Sequence, residues 1–266
     1  MFQKFHTRYH YSLVLLRELV ITDFKLRYQG SFLGYLWSLL RPLAIFLILY
    51  LIFGQFFGKG IPHYAIYLLL GIVVWNYFAE VTNGGVGAIV GKGDLLRKLN
   101  FPKYVIVLAG SLSALINLAI NVVVVIIFML MSHTPMLKTG LLAPLLIFEL
   151  FMFALALAFF LSAAFVRLRD INYIWEVIMQ AAFYATPIIY PVTLLPHKVL
   201  KVLMLNPVAQ MAQDMRYLVL SHDTPTIASI YGHAWVRIIP LSIVVLCTII
   251  AAWYFRKRSR YFAEEI

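Results

Sequence analysis

The residue types best placed to do chemistry are a glycine-rich run with a Gly-Lys pair, Asn83-Gly-Gly-Val-Gly-Ala-Ile-Val-Gly-Lys-Gly93, and four ionisable side chains inside apolar stretches. A phosphate-cradling loop sets Gly five residues ahead of the Gly-Lys pair and Ser or Thr after it; these positions hold Val86 and Gly93. The run is therefore not expected to bind nucleotide, and Gly87 with Gly91 instead gives the small-xxx-small spacing of closely packed helices. The ionisable four are Arg41, Glu80, Glu149 and Glu176. An unpaired charge at mid-bilayer costs about 3 kcal/mol, so each marks a site or a partner. Arg41, Glu80 and Glu176 fall at matching depth in their stretches, which predicts a structural ion pair of Arg41 with Glu80 or Glu176. Ser113, Asn117 and Asn121 recur every four residues and share one helix face, fit either for interhelical hydrogen bonds or for lining a polar path. The histidines show no paired ligand spacing and Cys247 stands alone, so no metal site is expected. With no Ser-His-Asp set or carboxylate cluster, an embedded enzyme has little support.

Six apolar stretches, at 33–53, 64–88, 104–131, 141–166, 171–190 and 234–255, must position these groups. Each reaches the roughly 20 residues that cross hydrocarbon. The chain is 63% hydrophobic and 12% charged, about half the charge of a soluble domain, so the expected fold class is an all-α membrane protein with six transmembrane helices. Lys59, Lys138, Lys198, Lys201, Arg216 and Arg237 lie on one side of these spans; every other Lys and Arg of the 22 lies on the opposite side. By the positive-inside rule both termini are then cytoplasmic, with Pro191–His233 forming the long outer loop at 191–233. The net charge of +11 points to anionic lipid headgroups, with no nucleic acid expected. No short apolar core precedes a small-residue cleavage site, so no cleaved signal peptide is expected.

Residues 1–30 form a separate arm, in which Leu13, Leu16, Leu19, Val20 and Phe24 recur at helical spacing between charged residues. An amphipathic helix in the cytoplasmic interface is expected there, ahead of a membrane domain at 31–266. Segment 91–103 reads as a short helix with Asp94 at its start, Leu95, Leu96 and Leu99 on one face, and Pro102 as its stop. It is longer than a connector needs, which predicts a contact surface. In the outer loop Val199–Leu205 and Val208–Leu220 are too apolar for a solvated linker, and Pro191, Pro196 and Pro207 cut it into outer re-entrant half-helices between spans 5 and 6. Tyr64, Tyr67, Trp75, Tyr77, Phe78, Trp175 and Tyr190 cluster towards span ends as interfacial belts, while other rings could line a passage and stack on sugars.

The segment Tyr28-Gln-Gly-Ser-Phe-Leu-Gly-Tyr-Leu-Trp-Ser-Leu-Leu-Arg-Pro42 resembles the signature of ABC-2 type permeases that export polysaccharides, O-antigen and teichoic acids. Arg169-Asp170 before the fifth span, and Thr186-Pro-Ile-Ile-Tyr-Pro191 followed by Leu205-Asn-Pro207, are similar to further patterns of that family, in the same order. The resemblance implies a transport subunit, not an enzyme: two copies form the path, and two separate ATPase subunits carry ATP and Mg. It implies docking of those subunits on Asp94, Leu95, Arg97, Lys98 and Glu18, and a glycan path past Tyr35, Trp37, Tyr184 and Tyr190. The implied substrate is an undecaprenyl-linked glycan crossing the bacterial cytoplasmic (inner) membrane, its pyrophosphate met at the entrance by Lys25, Arg27 and Arg41. An ABC-2 exporter of a small lipophilic compound and a membrane-embedded lipid-linked sugar transferase are the alternatives.

Overall fold

The computed structural model describes residues 2–28, 32, 34–58, 60–98, 101–135 and 137–265, and the side chains of these except 2–11, 27, 28 and 263. Arg27, Tyr28, Ser31, Leu33 and Leu99 among the expected residues thus fall outside the described side chains. The described chain is helical, with no strand among its residues. In order come α1 (Phe2–Tyr28), α2 (Trp37–Phe57), α3 (Tyr64–Gly87), α4 (Gly93–Lys98), α5 (Tyr104–Met131), α6 (Ala143–Arg167) and α7 (Ile171–Ala185). They are followed by α8 (His197–Leu203), α9 (Pro207–Val219), α10 (Ile227–Tyr231), α11 (Ile238–Arg258) and α12 (Phe262–Glu265).

The axis of the bundle is α3, which packs against α2, α5, α6, α7 and α9. From Tyr64 to Trp75 its sequence is apolar on every face, and a helix of that kind belongs inside. This corrects the expected aromatic belts: Tyr64, Tyr67, Trp75, Tyr77 and Phe78 are all buried within the protein. Outside the axis, α11 lies along α6 and α1 along α5, where Ser113 Oγ donates to the Val20 carbonyl at 3.3 Å.

Close approach of α3 and α6 rests on Gly85, where a Cβ would stand 2.5 Å from the Ala158 Cβ and 2.8 Å from its Cα. The packing pair expected at Gly87 and Gly91 is not the one used, since nothing lies within 4 Å of a Cβ at either position. Both lie towards the end of the helix pair, past the crossing at Ala158.

Among the described residues, five helical segments are long and apolar enough to cross a membrane: Gly34–Phe57, Tyr64–Gly87, Tyr104–Met131, Lys138–Arg167 and Ala234–Arg258. The stretch 171–190 departs from the expected full-length helix. Its 15-residue α7 rises about 22 Å, short of the roughly 30 Å hydrocarbon core. Pro187 is the cause, because it disfavours helical backbone at Thr186, which turns extended with ψ 134°. Residues 186–190 then form a buried strap.

Four consecutive carbonyls of that strap accept side-chain hydrogen bonds. Arg216 Nη1 donates to Pro187 O at 2.7 Å and Nη2 to Ile188 O at 2.8 Å. Tyr64 OH donates to Ile189 O at 2.8 Å, and Tyr67 OH to Tyr190 O at 3.3 Å. Arg216 is wholly buried on α9; its Nε donates to Tyr67 O, its guanidinium lies 3.4 Å from the Tyr67 ring centroid, and Gly71 leaves the space it fills. Segment 191–233 holds the short helices α8, α9 and α10, α9 beginning at Pro207 where Asn206 Oδ1 accepts from Val208 N. Inward-facing residues of α9 are buried against α3, α6 and α11. Burial pushes the Asp214 carboxyl up, opposed by Arg237 at 3.4 Å and by the Gln210 hydrogen bond.

Two outcomes follow. Gly85→Ala should cost about 1–3 kcal/mol by overpacking, while Gly87→Ala is neutral or stabilising, read as thermal unfolding in detergent. Arg216→Met should cost on the order of 3 kcal/mol or more by stranding two buried carbonyls, and Arg216→Lys should not recover it, since one ammonium does not reproduce the guanidinium fork.

Candidate functional site

Two polar clefts run side by side along α3. The first, of about 530 Å³, lies between α2, α3 and α5 and is lined by Trp37, Ser38, Arg41, Asn76, Glu80, Asn83, Asn117 and Asn121 among others. The second, of about 450 Å³, lies between α3 and α7 and is lined by Trp75, Asn172, Glu176, Gln180 and Tyr184 among others. Ala79 and Asn83 border both.

The sequence builds the first cleft by a local defect in α2. Pro42 has no N–H to offer the Ser38 carbonyl one turn back, so that carbonyl is freed. Asn121 Nδ2 reaches it from α5 at 3.5 Å and also bonds its own Asn117 carbonyl at 2.8 Å. One turn away Asn117 Nδ2 donates to Glu80 Oε1 at 2.7 Å. The face Ser113, Asn117, Asn121 therefore makes interhelical hydrogen bonds, and Asn117 and Asn121 also line the cleft.

Among the described residues no ion pair joins Arg41 to Glu80 or Glu176; the pairs are Lys92–Asp23, Arg237–Asp214 and Arg258–Glu265. Arg41 and Glu80 share the first cleft, where α5 rather than α2 presents the polar partner to Glu80. Glu176 stands in the second cleft.

The second cleft takes its polarity from α7. Asn172, Glu176, Gln180 and Tyr184 are spaced by four and so stand in one stripe. This regularity inside an apolar stretch is readable from sequence, although charge marks only Glu176 and the resemblance only Tyr184 among the four. Tyr184 is 72% exposed at one end of the stripe, and Tyr35 and Trp37 are half exposed at the start of α2, with Tyr35 stacked on Phe24 at 5.1 Å. Gly34 opens that segment at φ 49°, a left-handed conformation glycine adopts freely. Tyr190 is placed differently: its hydroxyl donates to the carbonyls of Tyr184 and Ala185 and closes the end of α7.

At the basic end of the bundle, Asp94, Arg97 and Lys98 are exposed on α4, with Leu95 half-buried and Leu96 buried beneath them. Glu18 and Lys25 are exposed on α1. Two contacts unannounced by sequence spacing brace this ledge. Lys92, just before α4, bonds Asp23 of α1 at 2.6 Å. On the other flank α12 meets α4, its Phe262 fully buried and edge-on to Phe255 at 5.4 Å. Lys103 donates to Ser259 O at 2.5 Å and lies over the Phe262 ring; its burial lowers its pKa, opposed by Glu264.

Chemically, the clefts offer amides and carboxylates for hydrogen bonding beside exposed aromatic faces for stacking, a combination suited to polyhydroxylated ligands.

Known proteins similar to this chain share a transport role in their names. The chain is 30% identical over 255 residues, 95% of each chain, to the O-antigen export system permease protein RfbA of Myxococcus xanthus. It is 26% identical over 259 residues to the protein of the same name from Klebsiella pneumoniae, covering 96% of this chain and 97% of that one. With the polysialic acid transport protein KpsM of Escherichia coli it shares 22% over 210 residues, 78% of this chain and 81% of the other. Residues 14–220 match the family described as ABC-2 type transporter, and with its five span-length helices this multi-pass membrane chain belongs to that family.

Proposed function

We propose that this chain is the permease of an ABC exporter moving a lipid-linked polysaccharide, O-antigen or a related cell-surface glycan, across the bacterial cytoplasmic membrane. Relatives spanning 95% of the chain are named for O-antigen export, and the KpsM relative for polysialic acid transport. The observation that carries the reading in this molecule is the pair of clefts along α3, where the α7 stripe Asn172, Glu176, Gln180 and Tyr184 offers hydrogen-bonding groups at one-turn intervals. A small lipophilic cargo would make no use of such a ladder.

In this reading residues 1–30 form the interfacial arm and 31–266 the membrane domain, with both termini cytoplasmic. The sixth crossing is α7 continued by its strap, which in extended form adds up to about 3.3 Å per residue. Two copies of the chain face each other across the clefts. Two separate ATPase subunits, holding ATP and Mg, dock beneath α4 at Asp94, Leu95, Arg97 and Lys98 and beside Glu18. Their closure would move α4 and, through Lys92–Asp23, the arm α1. Tyr35, Trp37 and Tyr184 stack on the sugars, with Tyr190 holding the end of α7 that carries Tyr184. Lys25, Arg27 and Arg41 receive the pyrophosphate of an undecaprenyl-type carrier.

Two measurements test this. Glu176→Ala combined with Gln180→Ala should lower glycan export about tenfold, the loss of two hydrogen bonds of roughly 0.5–1.5 kcal/mol each, while ATPase binding is retained. In proteoliposomes, ATP hydrolysis should require the partner subunit, and Asp94→Lys should separate hydrolysis from export; transport by this chain alone would overturn the ATPase-coupled reading.

A further inference from the structure

A third cleft, of about 720 Å³, lies between α3, α5 and α6 and is floored by Met215 and Val219 of α9. Its walls are apolar, with Val73, Val125, Met129 and Leu150 among them. The mouth opens beside Ile126 and Leu141, both exposed apolar residues. Water fills a cavity only where polar groups hold it, and this one has almost none. The neighbouring solvent in a bilayer is hydrocarbon.

At the rim stands Lys138, exposed and the single charged lining residue among those described. It begins the turn Lys138–Leu142 between α5 and α6, at the end of the bundle opposite α4. That turn is tied to the floor, since Thr139 Oγ1 donates to Leu218 O at 2.8 Å. A cation at the mouth of an apolar slot matches one chemistry: a phosphate at the rim with a hydrocarbon chain inside.

We propose that this cleft is a binding site for one acyl chain of an anionic membrane glycerophospholipid, its phosphate held by Lys138. The bound chain packs under α9 against Met215 and Val219, so a lipid supports the helix whose Arg216 pins the 186–190 strap. The site is separate from the polar clefts in chemistry, though Val73 and Leu118 border both it and the first of them. It stands whether or not the cargo is a glycan.

The test is native mass spectrometry of the full-length chain released from nanodiscs containing phosphatidylglycerol or phosphatidylcholine. The wild-type chain should retain a phosphatidylglycerol molecule in preference to phosphatidylcholine. Lys138→Gln, at an exposed position that leaves folding intact, should cut that preference about fivefold, the contribution of one lysine near an anionic surface. Val122→Trp, inside the slot, and Ile126→Trp, at its mouth, should each lose the retained lipid while the chain stays folded by circular dichroism. Retention unchanged in a folded Trp variant, or a preference unchanged by Lys138→Gln, overturns the site. So does a disulfide between two copies through Ile126→Cys in a Cys247→Ala background, because a second copy would then fill the cleft.

Discussion

A charged side chain with no exposed surface holds together the part of this fold around the 186–190 strap. The Arg216 guanidinium spends its donors on the carbonyls of Tyr67, Pro187 and Ile188 and lays its flat face on the Tyr67 ring. A broken helix inside a membrane protein leaves carbonyls that no water can reach, and each one stranded is costly. Here the break after α7 is made safe by side chains from α3 and α9. The strap, α3 and α9 therefore form one unit: α7 ends where it does because Pro187 forbids more helix, and the unpaired strap backbone is tolerable because Arg216, Tyr64 and Tyr67 stand opposite it.

The same logic governs the polar clefts. Pro42 frees a carbonyl in α2, and Asn121 answers it from α5. Polar groups on α5 and α7 are thus admitted beside a buried apolar axis because they settle backbone debts or face an open cleft. The axis itself stays apolar over most of its length, and its amides and carboxylate, Asn76, Glu80 and Asn83, stand in the cleft walls.

Much of this was legible in the residues. Span lengths, the short helix at α4 and the breaks at Pro196 and Pro207 all follow from composition and from the geometry of proline. The length of α7 was legible too, since Pro187 sits inside the fifth apolar stretch, but hydropathy outweighs a single proline when only apolar length is counted. Choosing Gly85 over Gly87 required knowing where Ala158 crosses, a fact of the α3–α6 geometry. Buried Tyr64 and Tyr67 looked interfacial because position along a span does not reveal which helix is central. The Lys92–Asp23 contact joins residues 69 positions apart, and no local pattern foretells it.

The ledge at α4 is touched by the first long helix of the chain and by the last short one. Its two braces come from segments far apart in sequence, Asp23 on α1 and Phe262 on α12. A truncated permease would carry its spans, its clefts and most of its hydrophobic core, yet lack one wall of that surface. Damage to either brace would therefore loosen that surface while leaving the membrane core intact.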